Sequence, residues 1–496
     1  MSLNLLFLPL IVLPLDSQSS WNFGHVLLDS RRLSLLIRSV LFSGMAGILC
    51  SIVGFAAAMG LSSIRQERLQ GFRWAPLAML AFPPSIHSLA WNLILSKLRV
   101  FGLVWLPQEG WLTAFLIQIM SLLPLCVGFG LLGLYRLQTE LIDVARVFQS
   151  ERRIFSTVVL PQMRPWLLAS AALAFVLSLA DYSTPLLEGC NTYALEIFSQ
   201  FAASHDAGRA LILSIPLLIP ILLATLMVLK PIRNVLLSEN RPDGGYHLET
   251  RGWPFAIGKV GLLILAVQSL TPLIMLGFEI GSWKTLYRTL VETRSDLSYS
   301  LIISCAAALL ALLPAIFLSG IFRKHQRMPV SGVAAIFLLT IPASLIGIGW
   351  SRVALEIAPN SEVLRAILPV GALLSRLAPI AVIVLFAWSC RIEPGLLNAA
   401  SLFQRSRLQL WRRILIPMGL PALGAAAGLV FAFSLGELGA SLMVLPPGRM
   451  TLSVRLYNSL HYGASELVAA MSLMLAVVCL GGGVCAVVLL RRLEHS

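Results

Sequence analysis

The sequence predicts an all-α integral membrane protein of about twelve transmembrane helices, arranged as two halves that repeat in the same direction. Three observations predict it. The 496 residues are 57% hydrophobic and 12% charged, whereas soluble domains carry about 25% charged residues. Apolar stretches of about 20 residues, the length that crosses a bilayer as a helix, recur from end to end. Two basic islands about 255 residues apart share one pattern. Residues 143–149 read Asp-Val-Ala-Arg-Val-Phe-Gln and lead to Val159-Leu160-Pro161; residues 398–404 read Asn-Ala-Ala-Ser-Leu-Phe-Gln and lead to Leu415-Ile416-Pro417.

The expected spans are residues 3–15, 38–61, 74–96, 112–135, 166–187 and 209–229, then 255–278, 299–320, 330–350, 364–390, 418–445 and 466–490. The first has neither a basic leader nor a small-residue cleavage site, so it reads as a short membrane helix rather than a removed signal. Orientation follows from the basic residues. With both termini in the cytoplasm, the inner loops hold Arg65, Arg68 and Arg73; Arg136, Arg146, Arg152, Arg153 and Arg164; and Lys230, Arg233, Arg241, Arg251 and Lys259. The second half adds Arg323, Lys324 and Arg327; Arg391, Arg405, Arg407, Arg412 and Arg413; and Arg491 with Arg492. The opposite orientation breaks the positive-inside rule.

The net charge of +14 is accounted for by these loops and by contact with the lipid surface. No nucleic-acid partner is implied. The seven cysteines form no CxxC pair and no Cys/His cluster, so no metal site or disulfide framework is expected. No cofactor is expected either.

The chain divides into a first half (1–230), a polar cytoplasmic linker (231–253) containing Arg-Pro-Asp-Gly-Gly, and a second half (254–496). The halves repeat each other. Pro83-Pro84-Ser85 precedes Trp91 as Pro342-Ala343-Ser344 precedes Trp350, with eight residues from proline to tryptophan in both. Asp181 follows Pro161 by 20 residues, and Glu437 follows Pro417 by 20. An aromatic residue, Phe155 or Trp411, stands six before the island's proline in each half. Six spans per half relate the halves by an axis along the membrane normal, with a pathway between them.

The two islands resemble the EAA loop of binding-protein-dependent ABC importer permeases, with its Glu-Ala-Ala start, a glycine four residues after the second alanine, and a Leu-Pro or Ile-Pro ending. The fused layout is similar to the iron(III) and thiamine importer permeases, and this likeness covers nearly the whole chain. Ala399, Ala400 and Pro417 match well. The first copy keeps Ala145 and Pro161 but is one residue shorter. Asp143 and Asn398 replace the glutamate, and Gln149 and Gln404 replace the glycine. Glutamine takes φ > 0 less cheaply than glycine, so the turn between the loop helices is expected to depart from the family's.

The resemblance implies a type I importer permease in a bacterial inner membrane, with two ATP-binding-cassette ATPases and a periplasmic or lipid-anchored substrate-binding protein. No GxxxxGK[ST] phosphate loop occurs in the chain, and no catalytic residue is expected. The family's loop docks in a cleft of the ATPase. Phe155 and Trp411 would be the apolar knobs, rimmed by Arg152, Arg153, Arg412 and Arg413. The simpler alternative is that these arginines only enforce topology.

Asp181 and Glu437 lie in apolar spans, where carboxylates are costly and mark pathway or gating positions. They also suit helix–helix hydrogen bonding. Pro83 and Pro342 break spans, which is tolerated where backbone faces protein or a cavity. Ser85, Trp91, Ser344 and Trp350 are candidates to line that cavity, and packing alone also accounts for them. Arg376, within a span, pairs inside the bundle or snorkels.

An ion-gradient-driven carrier of twelve spans is the alternative. It accounts for the repeat but leaves the paired basic loops unexplained. The seven histidines are dispersed, which argues against a membrane-embedded enzyme.

Overall fold

The computed structural model describes residues 29–64, 71–102, 109–237, 253–325, 337–357, 361–392, 395, 409, 411–460 and 465–495. The described residues form helices and no strand. The first expected span, residues 3–15, residues 238–252 of the expected linker and residues 396–408 lie outside them; the start of that linker, through Leu237, is helical.

Helix α1 (Ser30–Ser62) starts where Asp29 accepts from the Arg31 N–H, an N-cap that satisfies one orphan donor. A 3₁₀ segment (Gly71–Ala81) then meets α2 (Pro84–Val100) at a 99° bend. Pro83 and Pro84 cause it: neither can donate a helical hydrogen bond, and Pro84 holds Pro83 extended at ψ 138. Helix α3 (Trp111–Tyr135) leads to the short α4 (Thr139–Phe148). Helix α5 (Leu160–Ala180) is entered through one turn, Glu151–Ile154, and a π turn, Phe155–Val159. Then come α6 (Ser183–Leu187), α7 (Tyr193–Ser204) and α8 (Ala207–Leu237). His205 ends α7 in the left-handed region at φ 55.

The second half holds α9 (Trp253–Glu279), α10 (Trp283–Glu292), α11 (Arg294–His325), α12 (Ala343–Ile357) and α13 (Glu362–Arg391). A π turn, Trp411–Leu415, leads into α14 (Ile416–Gly436). The chain continues with α15 (Ser441–Val444), α16 (Leu452–Leu460) and α17 (Ser465–His495).

Among the described residues nine helices are long and apolar enough to cross a membrane, or ten if the bent 3₁₀–α2 pair is one span. The expected twelve are not reached there. Besides the first expected span, the expected 330–350 span is described only from residue 337 and is split at Pro342 ahead of α12.

The halves interlock. One buried cluster joins Val176, Tyr182 and Ile221 of the first half to Ile303, Leu345 and Leu385 of the second. Another joins Met79, Phe82 and Ile86 to Leu435, Leu452 and Leu475. Helices in lipid gain no hydrophobic energy by meeting, so close packing of small residues carries the contact. At the crossing of α1 and α9, Gly60 lies against the Gly258 backbone so closely that a Cβ on either would collide with the other. Lys97 at the end of α2 pairs with Glu279 at the end of α9, 2.9 Å apart.

Candidate functional site

Two regions carry the residues singled out from sequence. The first is the segment from α4 to the start of α5, at one end of the bundle. Helix α4 turns Ile142 inward, where it is buried with Ile154, Phe155 and Val159 against α1 and α3. Arg146 pins the helix in place: its Nε meets Glu151 Oε1 and its Nη1 meets Asp143 Oδ1, each at 3.0 Å. Ala145 is half-buried against the same cluster, and the Gln149 N–H donates to its carbonyl at 2.8 Å. Gln149 makes the turn in extended backbone at φ −134. No positive φ is needed, so glutamine is accommodated without strain. Its Oε1 accepts from the Thr157 hydroxyl at 3.1 Å.

Phe155 is not an exposed knob. It is 8% exposed, stacked on Phe55 at 6.3 Å and set edge-on to Trp253 at 4.9 Å. The π turn rotates it toward α1 and α9, where burial of a large ring is more favourable than exposure to water. The exposed apolar surface is instead on α4: Leu141 51%, Val144 61%, Val147 75% and Phe148 80%. Leu141, Val144 and Phe148 share one helical face, opposite Ile142, with Val147 beside it. Arg152 and Arg153 are exposed on the next turn, and Pro161 is exposed at the start of α5. Sequence reasoning missed the α4 ridge. The available signal was Val144 and Phe148 at i, i+4 in a helix that already had Ile142 to face inward.

In the second island, Asn398, Ala399, Ala400 and Gln404 lie outside the described residues, as does the side chain of Trp411. Arg412, Arg413 and Pro417 are exposed at the corresponding helix start. Both π turns sit just before a helix whose second residue is proline. Pro161 and Pro417 bring no N–H, and in the first island the Leu160 N–H reaches back five residues to the Phe155 carbonyl.

The second region is the junction of the halves. Asp181 ends α5 just before α6, its Oδ1 accepting from Ser183 N at 2.9 Å and Ser183 Oγ at 2.6 Å. Glu437 ends α14 in the same manner, its Oε1 accepting from Ala440 N at 3.1 Å. Its Oε2 meets Arg376 Nε of α13 at 2.8 Å. Both carboxylates therefore terminate helices, and one also holds an ion pair. Asp181 Oδ2 and Arg376 Nη1 are buried without a partner among the described residues.

Tyr182, fully buried and stacked on Phe198, donates its hydroxyl to the Gly439 carbonyl at 3.2 Å, bridging the halves. Pro83 packs on Gly436, where a Cβ would lie 2.7 Å from the proline ring. Ser85, Pro342 and Ser344 are buried. Trp350 donates Nε1 to Ser375 at 3.0 Å, while Trp91 Nε1 has no partner among the described residues. Gly436 lies against Pro83, and Gly439 against Ala343, Tyr182 and the Glu437 carboxylate, so the residues beside Asp181 and Pro342 come to one junction with Pro83 and Glu437; Ser85, Trp91, Ser344 and Trp350 lie farther along α2 and α12. Among the described residues no group of His, Cys, Asp and Glu is placed to hold a metal ion.

No family model matches the chain. Over 90 residues, 18% of this chain, it is 32% identical to proteins of Salmonella typhimurium, Salmonella choleraesuis and Salmonella paratyphi A. Each is provisionally named a 2-aminoethylphosphonate transport system permease protein. The match spans 34% of each relative, about a third of its length. This likeness and the multi-pass helical architecture support a permease role.

Proposed function

We propose that the chain is the permease subunit of a binding-protein-dependent ABC importer in a bacterial inner membrane. Residues 1–230 and 254–496 form two halves related by an axis along the membrane normal, joined by the linker 231–253. Two ATP-binding-cassette ATPases engage the loops at 143–161 and 398–417, and an external binding protein delivers the solute. One observation carries this reading: a short helix at one end of the bundle exposes Leu141, Val144, Val147 and Phe148 beside Arg152 and Arg153. An apolar ridge with a basic rim is the form of surface that a groove on another protein covers.

The junction around Pro83, Asp181, Tyr182, Pro342, Arg376 and Glu437 is the pathway or its gate. Iron(III) and thiamine remain the substrates that the family resemblance suggests, and the relatives' name adds a small aminophosphonate. The test is purification from native membranes and mass measurement of the intact assembly. One chain with two ATPase subunits is expected. A stable assembly without any ATPase that still transports would overturn the proposal.

A further inference from the structure

The turn after α6 carries a carboxylate that packing does not explain. Glu188 is 1% exposed, and its Oε1 accepts from Asn92 Nδ2 of α2 at 2.9 Å. Among the described residues no donor meets its Oε2 in hydrogen-bond geometry, nor does Asn92 Oδ1 accept a hydrogen bond. The Ser88 hydroxyl, one turn before Asn92, is the hydrogen-bond donor beside the carboxylate. Thr184, one turn before Glu188, is fully buried with its hydroxyl unpartnered among the described residues. His87 lies fully buried in the same stretch of α2, with neither ring nitrogen paired among the described residues. The carbonyl of Glu188 accepts from Gly110 N at 3.0 Å, which fixes this corner at the far end of α3 from α4.

The second half builds the same corner without charge. Counting from Pro342 as from Pro83, Ile346, Gly347 and Ser351 stand for His87, Ser88 and Asn92. Counting from Glu437 as from Asp181, Ala440 and Val444 stand for Thr184 and Glu188. There the Ser351 hydroxyl donates to the Met443 carbonyl at 2.6 Å, and Ile346 and Val444 are buried. A neutral hydrogen bond and apolar side chains suffice to join α12 to α15. The carboxylate, the amide oxygen and the threonine hydroxyl are therefore surplus to holding the corner together.

Unspent buried acceptors around a carboxylate call for a positive charge or a donor. Among the described residues no cation supplies it from nearby: the other charged group acting on Glu188 is the acidic Glu109, and Lys97 is paired with Glu279. One carboxylate among neutral oxygens balances one positive charge. Oxygen ligands suit a hard cation or an ammonium group rather than a transition metal.

We propose that Glu188, Asn92, Ser88 and Thr184 form a binding site for a single monovalent cationic group, either an alkali cation or the ammonium end of a small solute. The test uses the full chain in lipid nanodiscs. Thermal unfolding is followed while sodium, potassium or methylammonium chloride replaces N-methylglucamine chloride at constant ionic strength. A saturable rise in midpoint with sodium or potassium identifies an ion site; a rise with methylammonium alone identifies an ammonium site.

Glu188→Gln keeps the size and the contact with Asn92 but removes the charge. It is expected to raise the half-saturating concentration by about tenfold or more, and Thr184→Val by a smaller factor. If Glu188→Gln does not fold, Thr184→Val and Asn92→Ser carry the test. A wild-type midpoint indifferent to all three cations overturns the proposal. So does an unchanged half-saturation in the variants. Either result makes Glu188 a protonated hydrogen-bond partner and nothing more.

Discussion

Phe148 and Phe155 are seven residues apart and should respond to truncation in opposite ways. Phe148 is 80% exposed and Phe155 is 8% exposed. An aromatic side chain offers about 150–250 Å². Phe148 therefore leaves about 120–200 Å² open to a partner, worth at most about 3–5 kcal/mol at about 25 cal/mol per Å². Ordering and desolvation reduce this, so about 2 kcal/mol is the expected loss for a truncated anchor. That weakens ATPase association roughly thirtyfold. The same change should move folding stability by no more than about 0.5 kcal/mol, because little of the ring is buried. Phe155→Ala opens a cavity between Phe55 and Trp253 and should cost about 3–5 kcal/mol of stability. The assay is paired: thermal unfolding of each purified variant, and co-purification of the ATPase from the same membranes. Phe148→Ala should lose the ATPase with an unchanged midpoint. Phe155→Ala should lower the midpoint. If Phe148→Ala retains wild-type association, the α4 ridge is not the docking surface and the proposed coupling fails at that loop.

Arg376→Ala leaves the Glu437 carboxylate buried beside an empty space and should destabilise the bundle by about 3–5 kcal/mol, whereas Arg376→Met with Glu437→Gln should recover most of it; a melting series on the single and double variants distinguishes these outcomes. Tyr182→Phe removes the hydroxyl that reaches Gly439 and should cost about 0.5–1.5 kcal/mol, read by chemical unfolding in detergent. Gly60→Val should prevent α1 and α9 from approaching, and a folded variant of wild-type midpoint would contradict the close crossing. A single cysteine at Ser150, in a background without other cysteines, should resist an impermeant thiol reagent added outside intact cells. Ready labelling would reverse the assigned orientation.

The membrane helices were legible because their signal is length and apolarity, which need no knowledge of neighbours. The break at Pro83-Pro84 was legible for the same kind of reason, since proline acts on its own backbone. Rotational phase was harder. Phe155 recurs as an aromatic in both islands, and recurrence suits recognition and packing equally; the π turn that directs it inward is a property of several residues together. On α4 both faces carry apolar residues, so the sequence does not say that Ile142 is covered and Val144 is not. The partner of Arg376 was hidden by separation, as Glu437 lies on another helix. Asp181 and Glu437 were legible as paired positions, but their hydrogen bonds to the following backbone depend on the chain turning immediately after them.

The π turns bear on how these loops can change in length. A π turn is an α-helix holding one extra residue, so deleting a single residue from Phe155–Val159 lets the segment close as ordinary α-helix. The helix downstream then keeps its facing. In a regular helix the same deletion would turn everything beyond it by about 100° and carry its buried stripe toward lipid. The two islands differ in length by one residue, and each meets its membrane helix through a turn of this kind. At both joints, loss of one residue can be absorbed locally, while α5 and α14 stay in register with the rest of the bundle.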